Sequence, residues 1–281
     1  MVVFAHVHRR EVLIFYNQTK NKGDRYKMKK EELKYYSEIG NWDFSQIKYE
    51  TEKLTDWDYI EEIKKHTNEN SLCLDLGTGG GEKVLKEYPK VGMVIATDFS
   101  KEMIYTAKES AKNYKRRDMK FVVMDNLEMK FPGGLFDLVS ARHTEINAKQ
   151  IYDCLTKDGT LVIEGVDQKD CWKMKELFGK GQGYKDNKEI SEKDYEDIVN
   201  AGFSRIEKFK ILINEYYQTE EDLMALLLKT PILDDFSEIE DSFEGHLKAI
   251  DSKLFSEYVR KFKTEKGILL ERVLYGIVAQ K

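Results

Sequence analysis

Five short apolar runs, four of them followed by a helix-like stretch, constrain this chain more than any other feature. They fall at 72–76, 91–97, 121–124, 136–140 and 161–166. Each is brief and almost wholly hydrophobic, as strands covered on both faces must be. The stretches at 82–88, 100–114, 148–156, 170–178 and 191–201 read as helices, and in 100–114 Met103, Ile104, Ala107 and Ala111 fall at helical spacing. Ser100 and Ser191 stand where N-caps belong, and Gly202 stands where a helix should stop. Strands alternating with helices predict a doubly wound α/β sheet with helices on both faces.

That rhythm breaks in the last quarter of the chain. A strand-like segment near 203–217 leads into a helical stretch interrupted at Pro231, and "ERVLYGIVAQK" then reads as a closing strand. The organisation expected is a helical segment over 28–70, a ligand-binding core over 71–217, a helical cap inserted over 218–267 and a final core strand over 268–281. Residues 1–27 are expected to be an upstream extension. Lys22-Gly23-Asp24 can be encoded by a purine-rich ribosome-binding sequence at a fitting distance from Met28, which opens an ordinary helical start. Mass spectrometry of the native N-terminus tests this, because a peptide spanning Val2 to Lys27 would defeat it.

Composition removes several function classes. Hydrophobic residues make up 41% of the 281 and aromatics 12%, enough for a sizeable core. The net charge of −5 argues against a dedicated nucleic-acid binder, which needs concentrated Lys and Arg. The densest basic run, Lys112–Lys120, sits where a helix C-terminus would favour it anyway. Cys73, Cys154 and Cys171 lack zinc or disulfide spacing, so no metal is expected. The opening residues have no continuous apolar core of a signal peptide, and no apolar stretch approaches a membrane span. A cytoplasmic protein is expected.

The first apolar run ends in Asp75-Leu76-Gly77-Thr78-Gly79-Gly80-Gly81. Glycines at a strand-to-helix turn let a ligand lie against bare backbone, and the following helix offers free N–H groups. A dinucleotide fingerprint would need a third glycine where Glu82 stands, and no Gly-Lys-Ser/Thr follows for a phosphate loop. S-adenosylmethionine (SAM) fits better, because it carries a carboxylate, an ammonium and a sulfonium but no phosphate. Asp75 would complement its positive groups. Asp98 ends the second strand at the separation expected of a ribose-binding carboxylate. Phe99 and Met103 would flank the adenine, and Asp125-Asn126, closing the third strand, would meet its amino group. Each has a plain structural alternative: a turn residue for Asp98, core packing for Met103 and an Asx turn for Asp125.

"LDLGTGGG", "ATDFS", "VVMDN" and "FDLVSAR", in that order, resemble the motifs of class I SAM-dependent methyltransferases. "GNWDFS", "DLVSARHTEINAKQIYDCLTKDGTLVIEGV" and "EYYQTEEDLMALLLKTPILDDF" resemble a little-characterised bacterial branch with an Arg-His pair after the fourth strand. The likeness spans roughly 40–281. It implies a Rossmann-like class I methyltransferase sheet, SAM as cofactor and a methyl acceptor at the carboxyl ends of the strands. The sequence departs from the branch at "KDG" and at Glu164-Gly165-Val166-Asp167, whose side chains point toward the catalytic face, so substrate identity does not transfer. His143 is the candidate general base, tuned by Glu145, and Arg142 the candidate binder of an anionic substrate group. Hydrogen bonding of both to the loop backbone is the plain alternative. A small-molecule acceptor is favoured. RNA or protein methylation, or SAM binding without turnover, are the other readings. Aromatics in "NWDFS" and "LTDWDY" would either close over the site or pack a helix on the sheet.

Overall fold

The computed structural model describes residues 2–7, 10–15, 44–233 and 250–281. Strands β1 (Val2–Val7) and β2 (Arg10–Phe15) pair antiparallel, away from the main sheet. The rest of 1–27, and all of 28–43, lie outside the described residues, so the expected upstream extension and the helix expected from Met28 fall largely there.

The main sheet is built on β4 (Leu72–Leu76), β5 (Met93–Asp98), β6 (Met119–Val123), β7 (Phe136–Arg142) and β8 (Leu155–Val166). Every residue of β4 and β5 is buried, which explains their unbroken apolar character. These five strands run parallel in the order β6-β5-β4-β7-β8. Beyond β8 come β11 (Gly267–Gln280), antiparallel to both its neighbours, then β9 (Ser204–Tyr217) and β3 (Tyr49–Lys53) at the edge. A short β10 (Lys263–Thr264) folds back on β11.

Helices α1 (Tyr59–Lys65), α2 (Glu82–Glu87), α3 (Lys101–Tyr114), α4 (Ala148–Cys154), α5 (Trp172–Phe178) and α6 (Ile190–Ala201) accompany this sheet. One apolar cluster gathers residues of α4 and α6, including Ile151 and Ile198, and another those of α1, α2 and α3, including Ile63, Leu85 and Ile104, so helices cover both faces. Ser100 caps α3 as the sequence predicts, its hydroxyl accepting from the Met103 amide at 3.1 Å. The expected cap at Ser191 is displaced: α6 starts at Ile190 behind Glu189, and Ser191 is buried inside it. Gly202 ends α6 at φ 101°.

One segment differs from the expectation. The segment 28–70 is not wholly helical, because 49–53 form the edge strand β3, drawn there by pairing with β9 from Tyr49↔Tyr217 to Lys53↔Ile213. The insertion contains α7 (Glu220–Lys229), a 3₁₀ turn (Pro231–Leu233) and α8 (Ser252–Phe262), with 234–249 outside the described residues. These elements pack with α5 and the ends of β9 and β11, around Tyr217, Leu226, Tyr258 and Leu270. What rises beside the carboxyl ends of the parallel strands is the β3-β9-β11 ribbon. β11 pairs with β8 only from Leu274↔Val166 onward, so its first half runs past the end of β8.

Candidate active site

The glycine loop is shaped by its own backbone. Gly77 and Gly81 have φ of 69° and 82°, a conformation that L side chains rarely adopt. A β-carbon on Gly77 would lie 2.6 Å from Thr144, so the loop after β4 touches the loop after β7. The Thr78 amide donates to the Thr97 carbonyl at 2.8 Å. The Gly79 amide donates to Asp98 Oδ2 at 3.0 Å, and the Ser100 amide to Asp98 Oδ1 at 2.9 Å.

Those contacts place the sequence candidates. Asp98 is buried at the tip of β5, and burial pushes its pKa up, with Glu82 adding to the rise. The Phe99 amide bonds to it as well, so of a carboxylate's roughly four acceptor sites about one remains for a ribose hydroxyl. Asp75 is buried at the end of β4 and accepts from the Ser140 hydroxyl at 2.8 Å. Burial raises its pKa to about 6 against the pull of Ser140. Asn126 is buried between Thr97 and Thr144, its amide donating to Thr144 Oγ1 at 3.0 Å and its oxygen 3.3 Å from Thr97 Oγ1. Asp125 is exposed and closes an Asx turn on the Leu127 amide at 2.8 Å. Phe99 is half-buried and Met103 fully buried in the first turn of α3.

The fit to SAM rests on two of these features. The loop presents bare main chain at positive φ between β4 and α2, facing the expected amino-acid end of the ligand. Two desolvated carboxylates, Asp75 and Asp98, stand at adjacent strand ends, where an ammonium or sulfonium and a ribose hydroxyl would satisfy them.

A hollow of about 180 Å³ opens beside Arg142 and His143. Its walls come from 53–59, from Lys83 of α2, from the ends of β7 and β8, and from the ribbon. Arg142 Nε donates to Glu164 Oε1 at 2.6 Å, and His143 Nε2 lies 3.4 Å from the same oxygen. Burial would raise the Glu164 pKa, but Arg142 and His143 more than offset it and hold it at about 2. The His143 pKa is lowered, by desolvation first and then by Arg142, although 29% of its side chain stays exposed. His143 sits at φ 52°, its amide donating to the Glu164 carbonyl at 2.8 Å. Glu164 is thus a carboxylate beside the imidazole that the sequence reading did not name. β7 and β8 are hydrogen-bonded neighbours with Arg142 opposite Glu164, and that register brings Glu164 to the imidazole.

The ribbon adds groups that the sequence did not single out. Arg272 is held by Asp170 at 2.9 and 3.0 Å and reaches Glu215 at 3.3 Å. The polar residues of β11 at 271 and 272 interrupt an otherwise apolar strand, and that interruption was the available signal. Trp57 stacks on Phe209 at 5.9 Å between ring centroids. The basic run proves local: Arg116 binds Asp118 and the carbonyls of Tyr88 and Pro89.

Comparison with known proteins agrees with this geometry. Residues 73–159 match the profile described as a methyltransferase domain. A search of curated proteins gave no match. Among solved structures, a putative methyltransferase of Bacillus halodurans shares 16% identity at a TM-score of 0.52, over 80% of this chain and 98% of the other. The YcgJ protein of Bacillus subtilis shares 15% at 0.52, over 79% and 97%. The [4+2]-cyclase SpnF shares 15% at 0.50, over 79% and 80%. At these identities the likeness establishes the fold. No helix among the described residues is long and apolar enough to cross a membrane.

Proposed function

We propose that this chain, whose residues 73–159 match a methyltransferase domain profile, is a class I SAM-dependent methyltransferase and that it methylates a small-molecule acceptor held in the hollow beside Arg142 and His143. The observation that carries the reading is that hollow. It opens next to the loop expected to cradle the donor, and its volume of about 180 Å³ suits a few heavy atoms better than a nucleotide or a peptide. The acidic net charge and the local bonding of Arg116 support the same choice over RNA.

When bound, SAM supplies an electrophilic methyl group on a sulfonium. The chain's own residues position and desolvate. Asp98 takes the ribose, Asp75 faces the positive amino-acid end, and the Gly77–Gly79 backbone lies along the same end. Phe99, Met103 and Asn126 border the adenine, and Asp125 lies at its rim. Arg142 holds the acceptor. Arg142 and the walls of the hollow would hold the acceptor's nucleophilic atom toward the donor, and SAM would supply the methyl group and keep the sulfur–carbon electron pair as the leaving thioether. If the nucleophilic atom bears a proton, His143 takes it. Glu164 is ionised and faces Nε2, so the imidazole proton sits on Nε2 and the accepting lone pair on Nδ1. The reaction is set in the cytoplasm.

Incubating the protein with methyl-labelled SAM and a fractionated lysate tests this. Label in the small-molecule pool is the expected result. Label confined to RNA or protein would move the reading to a macromolecular acceptor. Tight SAM binding with no labelled product would leave a binding protein without turnover.

A further inference from the structure

Resting on the reading that this hollow holds the acceptor, we infer that the acceptor is a small oxyanion, carrying a carboxylate or phosphate, recognised jointly by the Trp57 indole N–H and the outer guanidinium nitrogens of Arg142. The inference comes from a census of donors and acceptors in the walls. Each wall carboxylate already accepts from neighbours: Glu164 from Arg142 and His143, Glu215 from Arg272 and the Tyr217 hydroxyl, and Asp58 from Lys53 and the amides of Ile60 and Glu61. Among the described residues, the buried polar side-chain atoms of the wall residues that lack a partner are Trp57 Nε1, a donor, and the Tyr59 hydroxyl, which can donate or accept. Trp57 Nε1 is buried and has no hydrogen-bond partner among the described residues. An indole N–H can only donate, so a ligand oxygen is what would satisfy it. Among the described residues Arg142 donates from Nε to Glu164 at 2.6 Å, and its four outer N–H donors have no partner there, in the fixed fork that matches an oxyanion.

Trp57 is also held in place. A β-carbon on Gly276 would lie 2.7 Å from the indole, so the ring rests directly on the β11 backbone, with Phe209 stacked against it. A donor seated this firmly loses little entropy on binding. The adjoining donor site receives a sulfonium, so an anion in the hollow also gains from the opposite charge beside it.

The test separates this inference from the reading it rests on. The ultrafiltered small-molecule pool of a lysate is passed over an anion exchanger at neutral pH before reaction, and bound and unbound fractions are each offered with labelled SAM. Label accepted only from the bound fraction is expected. Acceptance only from the unbound fraction overturns the oxyanion but keeps small-molecule methylation. Label in neither overturns both. Desalting the active bound fraction with and without phosphatase treatment distinguishes phosphate from carboxylate. With the acceptor so obtained, Trp57→Phe keeps the ring on Phe209 and removes the N–H. KM for the acceptor should rise about tenfold or more, with kcat changed far less and SAM affinity by calorimetry unchanged. An unaltered KM in a variant that still binds SAM would overturn the role of Trp57.

Discussion

Asp75 illustrates how a binding residue works against the stability of the ligand-free fold. Burial raises its pKa to about 6, so the folded chain holds the proton more tightly than the unfolded chain does. The cost of ionisation is absent below about pH 4 and complete above about pH 6. Asp75→Asn keeps an oxygen for the Ser140 hydroxyl and removes the charge. It should stabilise the ligand-free protein at pH 8 by about 2–3 kcal/mol, add nothing at pH 4, and weaken SAM binding. Melting curves at the two pH values check this, and a loss of stability at pH 8 would refute it. His143 makes a kinetic prediction at the same scale. Its pKa lies below the ordinary 6.5 through desolvation and Arg142. kcat/KM should therefore climb with pH through an inflection below 6.5 and then level off. His143→Ala should abolish that limb and lower the rate by roughly 10²–10⁴-fold. An unchanged profile would return His143 to a loop-anchoring role.

Elements meet where the loops after β4 and β7 touch, and that contact depends on Gly77. A methyl group there would strike Thr144 and force a positive φ on an L residue. Gly77→Ala should destabilise the fold by about 1–3 kcal/mol and weaken SAM binding, because Thr144 also holds Asn126. Gly134 offers a matched control. It has φ 67° but open space around its β-carbon, so Gly134→Ala should carry only the backbone strain and leave SAM affinity intact. Equal SAM affinities in the two variants would argue against the contact. The helices follow local chemistry more simply: Ser100, Asn147 and Asp251 cap α3, α4 and α8 through their side chains.

Across the whole molecule, the site is assembled from two halves with different logic. The donor half, on β4 to β6, is built within about sixty residues of continuous sequence. The acceptor half joins 53–59, the ends of β7 and β8, and the ribbon, which lie far apart in the chain. Asp170 and Arg272 pin these parts together across 102 positions. Asp170 is 1% exposed, so its loss leaves a buried guanidinium half-paired. Asp170→Ala should cost about 3–5 kcal/mol and reduce acceptor affinity, while SAM affinity measured well below the melting temperature stays near that of the parent. A parallel fall in both affinities would show that the halves are not separable in this way.

The residues proposed for the donor half could be picked out from the sequence because the pattern that suggests them is local. A strand end, a glycine turn and an acid one strand on are fixed by spacing along the chain, and no distant contact is needed to read them. Arg142 and His143 were legible as residue types, but their partner was not. Glu164 reaches them only because β7 and β8 pair in one particular register. β3 was hidden for the same reason, since its residues gain strand character from pairing with β9 rather than from their own pattern. Trp57 could be read as an aromatic in a plausible place. Only tertiary packing on Gly276 and Phe209 set the ring beside the hollow with its nitrogen buried and without a partner among the described residues.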